Sequence, residues 1–150
     1  MSDRDRIGFM QGRLSPPSDG RIQSFPWPYW QQECSIAEVH GFRVMEWTLD
    51  QNRLQENPLL TATGQADIRS ACLRHGLAIP SLTGDCFMQA PFWKAQGDER
   101  NILQRDFLAV AEACATVGIA MIVVPLVDNG RLDSATQEDA LVEFLQDQTT

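Results

Sequence analysis

Four short apolar runs divide the chain into repeating units. They lie at residues 7–10, 44–47, 78–82 and 121–127 and are rich in large apolar side chains, which is typical of β-strands. The last run, Met-Ile-Val-Val-Pro-Leu-Val, has no polar alternation, as a parallel strand covered on both faces requires. Pro125 has no backbone N–H to donate, so we expect it at the exit of that strand.

Each strand is followed by a polar loop and then by apolar positions spaced three and four apart, which indicates an amphipathic helix. We expect the last helix at residues 137–146, with its N-cap near Ser134 and Thr136, because Asp139 follows Thr136 by three residues. The four apolar faces carry Trp30, Cys34 and Ala37; Ile68, Ala71 and Cys72; Leu103, Phe107, Val110, Ala111 and Cys114; and Leu141, Phe144 and Leu145.

Three of these helices end in the same local pattern. Gly41, Gly76 and Gly118 each stand just after a helical segment and just before an apolar residue. Glycine adopts the left-handed conformation that commonly closes a helix, so we expect all three to be C-cap residues. Strand follows almost at once, and the pattern therefore predicts four consecutive βα units.

The loops that follow the strands are long, whereas the loops that follow the helices are little more than a glycine. In parallel α/β folds the strand-to-helix loops gather at the carboxyl ends of the strands, where ligands bind. Four βα units fit either an open doubly wound sheet or part of a closed barrel. Residues 10–14, Met-Gln-Gly-Arg-Leu, form no glycine-rich phosphate loop, which favours the barrel.

Composition narrows the class of partner. The 150 residues carry 20 acidic and 12 basic side chains, a formal net charge of −8, and Lys94 is the sole lysine. Nucleic-acid binding relies on clustered Lys and Arg, so we expect no nucleic-acid partner. No stretch approaches the roughly 20 apolar residues of a membrane span, and the first six residues do not resemble a signal peptide, so we expect a cytoplasmic protein without a membrane partner.

The four cysteines are far apart and contain no CxxC pair. This spacing favours small buried thiols in a reducing compartment over a disulfide or a zinc site. The cysteines are Cys34, Cys72, Cys86 and Cys114.

Polar side chains mark the carboxyl ends of the predicted strands. Gln11 and Arg13 follow the first strand, Glu46 lies in the second, and Asp85 and Asp128 follow the third and fourth. Parallel neighbours would bring these groups to one rim, where they are candidates for substrate contacts. A functional role is favoured for Glu46, since an acid within an apolar run is costly to bury, whereas the Asp-Asn-Gly context of Asp128 favours a turn.

Other candidates divide between loops and helix ends. Arg13, Arg21, Lys94 and Arg131 lie in long loops, where they either contact a phosphorylated or carboxylated ligand or are simply solvated or paired with neighbouring acids, the second being favoured. Aromatic residues in the loops, including Phe87, either stack on a sugar-like ligand or pack the loops against the rest of the protein. His40 and His75 precede C-cap glycines at the opposite end from these loops, where a cation interacts favourably with the helix dipole.

Several segments resemble the sugar phosphate isomerase/epimerase group of xylose-isomerase-like TIM barrels. They are Ile-Gly-Phe-Met-Gln-Gly-Arg-Leu-Ser-Pro-Pro at 7–17, Gly-Arg-Ile-Gln-Ser-Phe-Pro at 20–26 with Trp30, Glu46-Trp47, and Val-Pro-Leu-Val-Asp at 124–128. The similarity spans nearly the whole chain. It implies an α/β fold in which residues 1–150 form four βα units, the N-terminal half of a (β/α)₈ barrel with parallel strands, truncated after the fourth helix.

The resemblance also implies proton transfer next to a carbonyl, assisted by a divalent metal (Mn, Mg, Co or Zn). In such relatives the metal ligands come from later strands, so the resemblance implies that this chain holds no metal ligand and is inactive alone. Gln11, Arg13, Glu46, Trp47 and Asp85 are then substrate-side contacts, to which the loop aromatic Phe87 is added.

Two alternatives use the same architecture. One is a non-catalytic module that binds sugars, and the other is half of an endonuclease-IV-like phosphodiesterase, which the acidic balance disfavours. Four parallel strands leave two unpaired sheet edges, so we expect self-association or pairing with a missing C-terminal half.

Overall fold

A computed structural model describes residues 6–21 and 24–148. The four strands and the four long helices follow one another in the predicted order, and one further short helix follows the third strand. The strands are β1 (Phe9–Met10), β2 (Val44–Thr48), β3 (Ala78–Thr83) and β4 (Met121–Val123). The helices are α1 (Trp30–His40), α2 (Ala62–His75), α3 (Asp85–Gln89), α4 (Gly97–Val117) and α5 (Ala135–Asp147).

The four strands form one all-parallel sheet in the order β1-β2-β3-β4. The α/β class and the parallel pairing of consecutive βα units are therefore confirmed. One irregularity interrupts the β2–β3 pairing, where Val44 pairs with Ala78 but Glu46 pairs with Ser81. This bulge adds one residue to β3, so that Ile79 and Leu82 both enter the core while Ser81 lies opposite Glu46.

Both edge strands are shorter than predicted. β1 spans two residues instead of four, because β2 begins only at Val44 and offers no partner to Ile7. β4 ends at Val123 instead of residue 127, because β3 ends at Thr83 and the last ladder bond joins Gly84 N–H to the Val123 carbonyl. Pro125 lies beyond the strand, as predicted.

Two helix boundaries also differ from prediction. The short helix α3 occupies part of the loop predicted at residues 86–100. Helix α5 begins at Ala135, and its N-cap is Ser134, whose hydroxyl accepts a hydrogen bond from Gln137 N–H; Thr136 lies inside the helix. A five-residue helix is too short to show a clear apolar periodicity, which is why the sequence pattern missed α3.

The C-cap prediction is confirmed at all three glycines. Gly41, Gly76 and Gly118 have φ of 78°, 59° and 89°, in the left-handed region. Each N–H bonds to a carbonyl of the last helical turn. These caps turn the chain into the next strand within three residues.

The long helices lie in one layer on one face of the sheet. α1 contacts α2, α2 contacts α4, and Phe144 of α5 packs on Phe107 of α4. The core between this layer and the sheet includes Met45, Trp47 and Leu82, all with no exposed surface. We call the other side the open face; it carries Glu46, Ser81, Thr83, Met121 and Val123, by strand alternation and register.

The cysteines are free, and Cys34, Cys86 and Cys114 are buried. Burial raises the pKa of the Cys34 thiol to about 11, so this group stays protonated at neutral pH. Among residues 6–21 and 24–148, no helix combines the length and apolar character needed to cross a membrane.

Candidate functional site

Gln11 extends the sheet beyond the point where β1 ends. Its backbone N–H donates to the Glu46 carbonyl at 2.9 Å, and its side-chain Oε1 accepts from the backbone N–H of Thr48 at 3.1 Å. The Thr48 hydroxyl returns a bond to the Gln11 carbonyl at 3.1 Å. The Gln11 amide thus replaces the next backbone group of β1 while the main chain turns away at Gly12, whose φ is 90°.

The backbone N–H of Thr48 fixes the orientation of the Gln11 side-chain amide. Thr48 N–H is a donor, so the atom that faces it is the carbonyl oxygen of Gln11 and not the NH₂ group. The Gln11 side chain is 2% exposed, and among the described residues its Nε2 has no hydrogen-bond partner. A buried N–H group without an acceptor destabilises the folded protein. The Gln11 Nε2 group is therefore a donor that an oxygen of a ligand or of a water molecule would satisfy.

Glu46 is the centre of the polar part of the open face. Its Oε2 accepts from the Ser81 hydroxyl at 2.7 Å, and its Oε1 accepts from the Thr83 hydroxyl. The carboxylate is half-buried, and the β3 bulge places Ser81 opposite it. Because both hydroxyls donate their protons to Glu46, their oxygen lone pairs can only accept hydrogen bonds from a ligand.

Two further carboxylates lie at the same strand ends. Asp50, just past β2, accepts from Phe25 N–H at 2.7 Å and from Gln89 Nε2 at 3.1 Å. Asp85, the first residue of α3, is buried. Its pKa is raised, chiefly by burial and further by the nearby Asp50 and Glu46 carboxylates. The carboxyl-terminal halves of β2 and β3 and the positions just after them therefore carry three acids. We call these acids, together with Gln11, Thr48, Ser81 and Thr83, the strand-end rim.

Sequence reasoning missed two buried carboxylates that shape this rim. Glu33 of α1 is fully buried and accepts from Gly12 N–H, Leu14 N–H and the Ser15 hydroxyl at 2.7, 2.9 and 2.8 Å. It thereby holds the turn after β1, and Asp50 holds the same long loop at Phe25. A signal for Glu33 existed, because it lies three residues after Trp30 and four before Ala37, on the apolar side of α1.

The predicted site residues divide into two groups. Gln11, Glu46 and Asp85 come together at the strand-end rim. Trp47 instead lies in the core, where its ring packs on Phe25 and Trp30 and its Nε1 donates to Asn57 at 3.3 Å. Phe87 is also buried, with its ring 4.7 Å from that of Phe107, and Arg13 is exposed in the turn after β1.

The loop cations Lys94 and Arg131 and the turn residue Asp128 follow their simpler interpretation. Lys94 and Arg131 both bind Asp133, at 2.7 and 2.8 Å. Asp128 opens a 3₁₀ turn with φ of 48°, as its Asp-Asn-Gly context indicated. His75 lies at the end of α2 and contacts Glu38 at 2.7 Å, at the opposite end of the units from the rim.

The rim does not fit a divalent metal. In the part of the chain that the structure describes, no group of three His, Cys, Asp or Glu side chains is arranged to hold an ion. The oxygens of Glu46 and Asp50 already accept hydrogen bonds from hydroxyl, amide and backbone donors.

The fold and the rim define a class, an α/β protein with four parallel strands in sequential order and a carboxylate-rich end. No family model matches the chain, and no curated protein is significantly similar to it. The isomerase resemblance stays a prediction.

Proposed function

We propose that this chain is the N-terminal half of a (β/α)₈ barrel of the xylose-isomerase-like kind, and that its strand-end rim binds a small sugar-like substrate. The whole barrel would carry out metal-assisted proton transfer next to a carbonyl, with the metal ligands supplied by strands outside this chain. In this arrangement the chain orients the substrate and does not itself perform the proton transfer.

The sheet order supports the barrel part of the proposal. Doubly wound sheets reverse their strand order and cover both faces with helices. Here the order is sequential and α1, α2, α4 and α5 lie in one layer, which is the arrangement of a barrel wall. The open face would then be the barrel interior.

The observation that carries the substrate part is the hydrogen-bonding character of the rim. Glu46, Ser81 and Thr83 offer acceptors to a ligand, and Gln11 supplies one fixed buried donor. A polyhydroxylated ligand presents several O–H donors and some acceptor oxygens, so it matches this set. A phosphate group presents acceptors and negative charge, so the three rim carboxylates disfavour it at this end of the molecule.

Glu46→Gln tests the substrate part directly. We expect saturable binding of neutral aldoses or ketoses by the unmodified chain, and a weakening of at least about tenfold in the variant, because one charge-assisted acceptor is lost. Titration calorimetry and ligand-detected NMR measure both, with the matching sugar phosphates in parallel. Glu38→Gln, an exposed acid near the end of α1 at the opposite end of the units from the rim, is the matched control.

Equal affinity of the unmodified chain and the Glu46→Gln variant, or tighter binding of the phosphates than of the neutral sugars, would contradict the proposal. Circular dichroism of both variants excludes a folding defect as the cause. The acidic cluster disfavours a phosphodiester, and with it the endonuclease-like alternative. The hydrogen-bonding groups of the rim suit a non-catalytic sugar-binding module as well as an isomerase half.

A further inference from the structure

A cleft lies beside the strand-end rim, between the loop that follows β3 and the turn that follows β4. Its walls are formed within residues 89–103 and by Asn129, so the third and fourth βα units build it by themselves. Its volume is about 250 Å³. Pockets that enclose a whole small ligand hold roughly 300–1,000 Å³, so a cleft of this size suits one substituent of a larger ligand.

Gln89 joins this cleft to the rim. Its Nε2 donates to Asp50 at 3.1 Å, and its Oε1 accepts from the backbone N–H of Gln51 at 2.8 Å. The Asn129 side chain fixes the same segment, because its Nδ2 donates to the carbonyls of Met88 and Gln89 at 3.3 and 3.1 Å. A ligand whose ring lies on the rim therefore reaches the cleft with a short substituent.

The polar groups of the cleft offer both donors and acceptors. Lys94 Nζ binds Asp133 at 2.7 Å, which uses one of its three N–H donors and leaves two. Within residues 6–21 and 24–148, the Glu99 carboxylate forms no hydrogen bond or ion pair, and Asn129 Oδ1 accepts no hydrogen bond. These groups match a substituent that carries an acceptor oxygen and an N–H or O–H donor.

The other residues that line the cleft are apolar. They include Pro91 and Ala95, which are buried, and Leu103, which is half-buried. Contact with such surface favours a methyl group over a hydroxyl group, because the methyl group loses no hydrogen bonds to water.

The charges around the cleft cancel. Lys94 and Arg131 both bind Asp133, and Glu99 supplies the second negative charge. A phosphate or carboxylate therefore gains no net attraction, while an ammonium group meets the like charge of Lys94. A neutral substituent suits the cleft better than either.

We propose that this cleft binds the acetamido group of an N-acetylated amino sugar whose ring lies on the rim. The acetamido carbonyl accepts from Lys94, its N–H donates to Glu99 or Asn129, and its methyl group packs on the apolar residues. The inference rests on the proposed function, since it takes the rim as the site of the sugar ring. It narrows the substrate class from neutral sugars to N-acetylated ones.

Titration calorimetry with matched sugars tests the inference on the unmodified chain. We expect at least one of N-acetylglucosamine, N-acetylgalactosamine and N-acetylmannosamine to bind at least about tenfold more tightly than its parent hexose, because it adds hydrogen bonds and a buried methyl group. The corresponding free amine should bind less tightly than the acetylated sugar, since its ammonium group meets Lys94.

Lys94→Met removes the donor to the acetamido carbonyl and keeps a side chain of similar length. The preference for the acetylated sugar should fall to about threefold or less, while the affinity for the parent hexose stays unchanged. Arg131→Met is the matched control, because Arg131 also binds Asp133 but does not line the cleft, so its variant should keep the full preference. Circular dichroism spectra show whether both variants remain folded.

Three results would overturn the inference: equal affinities for acetylated and parent sugars, tighter binding of the free amine, or a Lys94→Met chain that keeps the preference. The Glu46→Gln titration separates this failure from that of the proposed function. Hexose binding that depends on Glu46 without any acetamido preference overturns the cleft alone. An acetamido preference that depends on Lys94 but not on Glu46 overturns the rim proposal, and a chain that binds none of these sugars overturns both.

Discussion

The two faces of one sheet differ sharply in this protein. On the helix side, Met45, Trp47 and Leu82 are fully buried in a continuous apolar core. On the open face, the neighbouring strand positions Glu46 and Ser81 form polar contacts, and Met121 is largely exposed. Since adjacent residues of a strand point to opposite faces, the same five residues of β2 stabilise the fold on one side and present chemical groups on the other.

The largest expected effect comes from the helix side. Trp47→Ala removes a ring that contacts Phe25 and Trp30 and takes away one of the two donors to Asn57 Oδ1, so it should lower the free energy of unfolding by about 3–5 kcal/mol. Urea denaturation followed by circular dichroism measures this loss.

Val123→Ala on the open face is the matched comparison for the Trp47 variant. It should cost less than about 1 kcal/mol, because the side chain is already partly in water. Equal losses from the two variants would show that the faces do not differ in the way described.

A smaller effect is expected from the carboxylate that holds the loop after β1. Glu33→Gln turns an NH₂ group towards one of three donors, so it should cost about 1–3 kcal/mol. Amide hydrogen exchange at Gly12 and Leu14 should accelerate by more than the global loss explains. Glu38→Gln, an exposed residue of the same helix, should change neither, and protection of Gly12 that survives in the Glu33 variant would count against the anchoring role.

The smallest expected effect is a change in Tm that depends on pH, and it concerns Asp85 at the rim. Burial and the Asp50 and Glu46 carboxylates raise the pKa of Asp85, so the folded state binds this proton more tightly than the unfolded state. The ionised carboxyl therefore opposes folding at neutral pH, and Asp85→Asn should raise Tm at pH 7. The gain should shrink as pH falls and vanish below the unfolded pKa near 3.8, where the carboxyl is protonated in both states.

Asp133→Asn should behave in the opposite way. Hydrogen bonds from Lys94 and then Arg131 hold the pKa of Asp133 below its usual range. That contribution is present above the unfolded pKa and is lost as pH falls through the folded one, so the variant should lower Tm slightly at pH 7 and match the unmodified chain in acid. A pair of Tm profiles with the same sign would contradict the assignment of Asp85 to a carboxylate cluster.

Local chemistry accounts for the features that the sequence predicted well. A glycine after an amphipathic segment closes a helix whatever surrounds it, and Gly41, Gly76 and Gly118 all do so. The predicted lengths of β1 and β4 were wrong, because the length of an edge strand depends on where the neighbouring strand begins or ends.

The site shows the same division between local and distant causes. Glu46 stood out because an acid interrupts an apolar run, and it lies on the rim. Trp47 was grouped with it as a site residue, although strand alternation turns adjacent side chains to opposite faces. The partners of Glu33 lie at least 18 residues away, and no local pattern reveals such contacts.

The sequence alone determined the order of strands and helices, the glycine caps, the acidic charge and the presence of an acid in β2, because these follow from periodicity and residue type. The tertiary structure decided which face each side chain lies on, the bulge that brings Ser81 to Glu46 and the gathering of three carboxylates. These features depend on register between strands that lie more than 30 residues apart in the chain, and register is set by packing rather than by neighbouring residues.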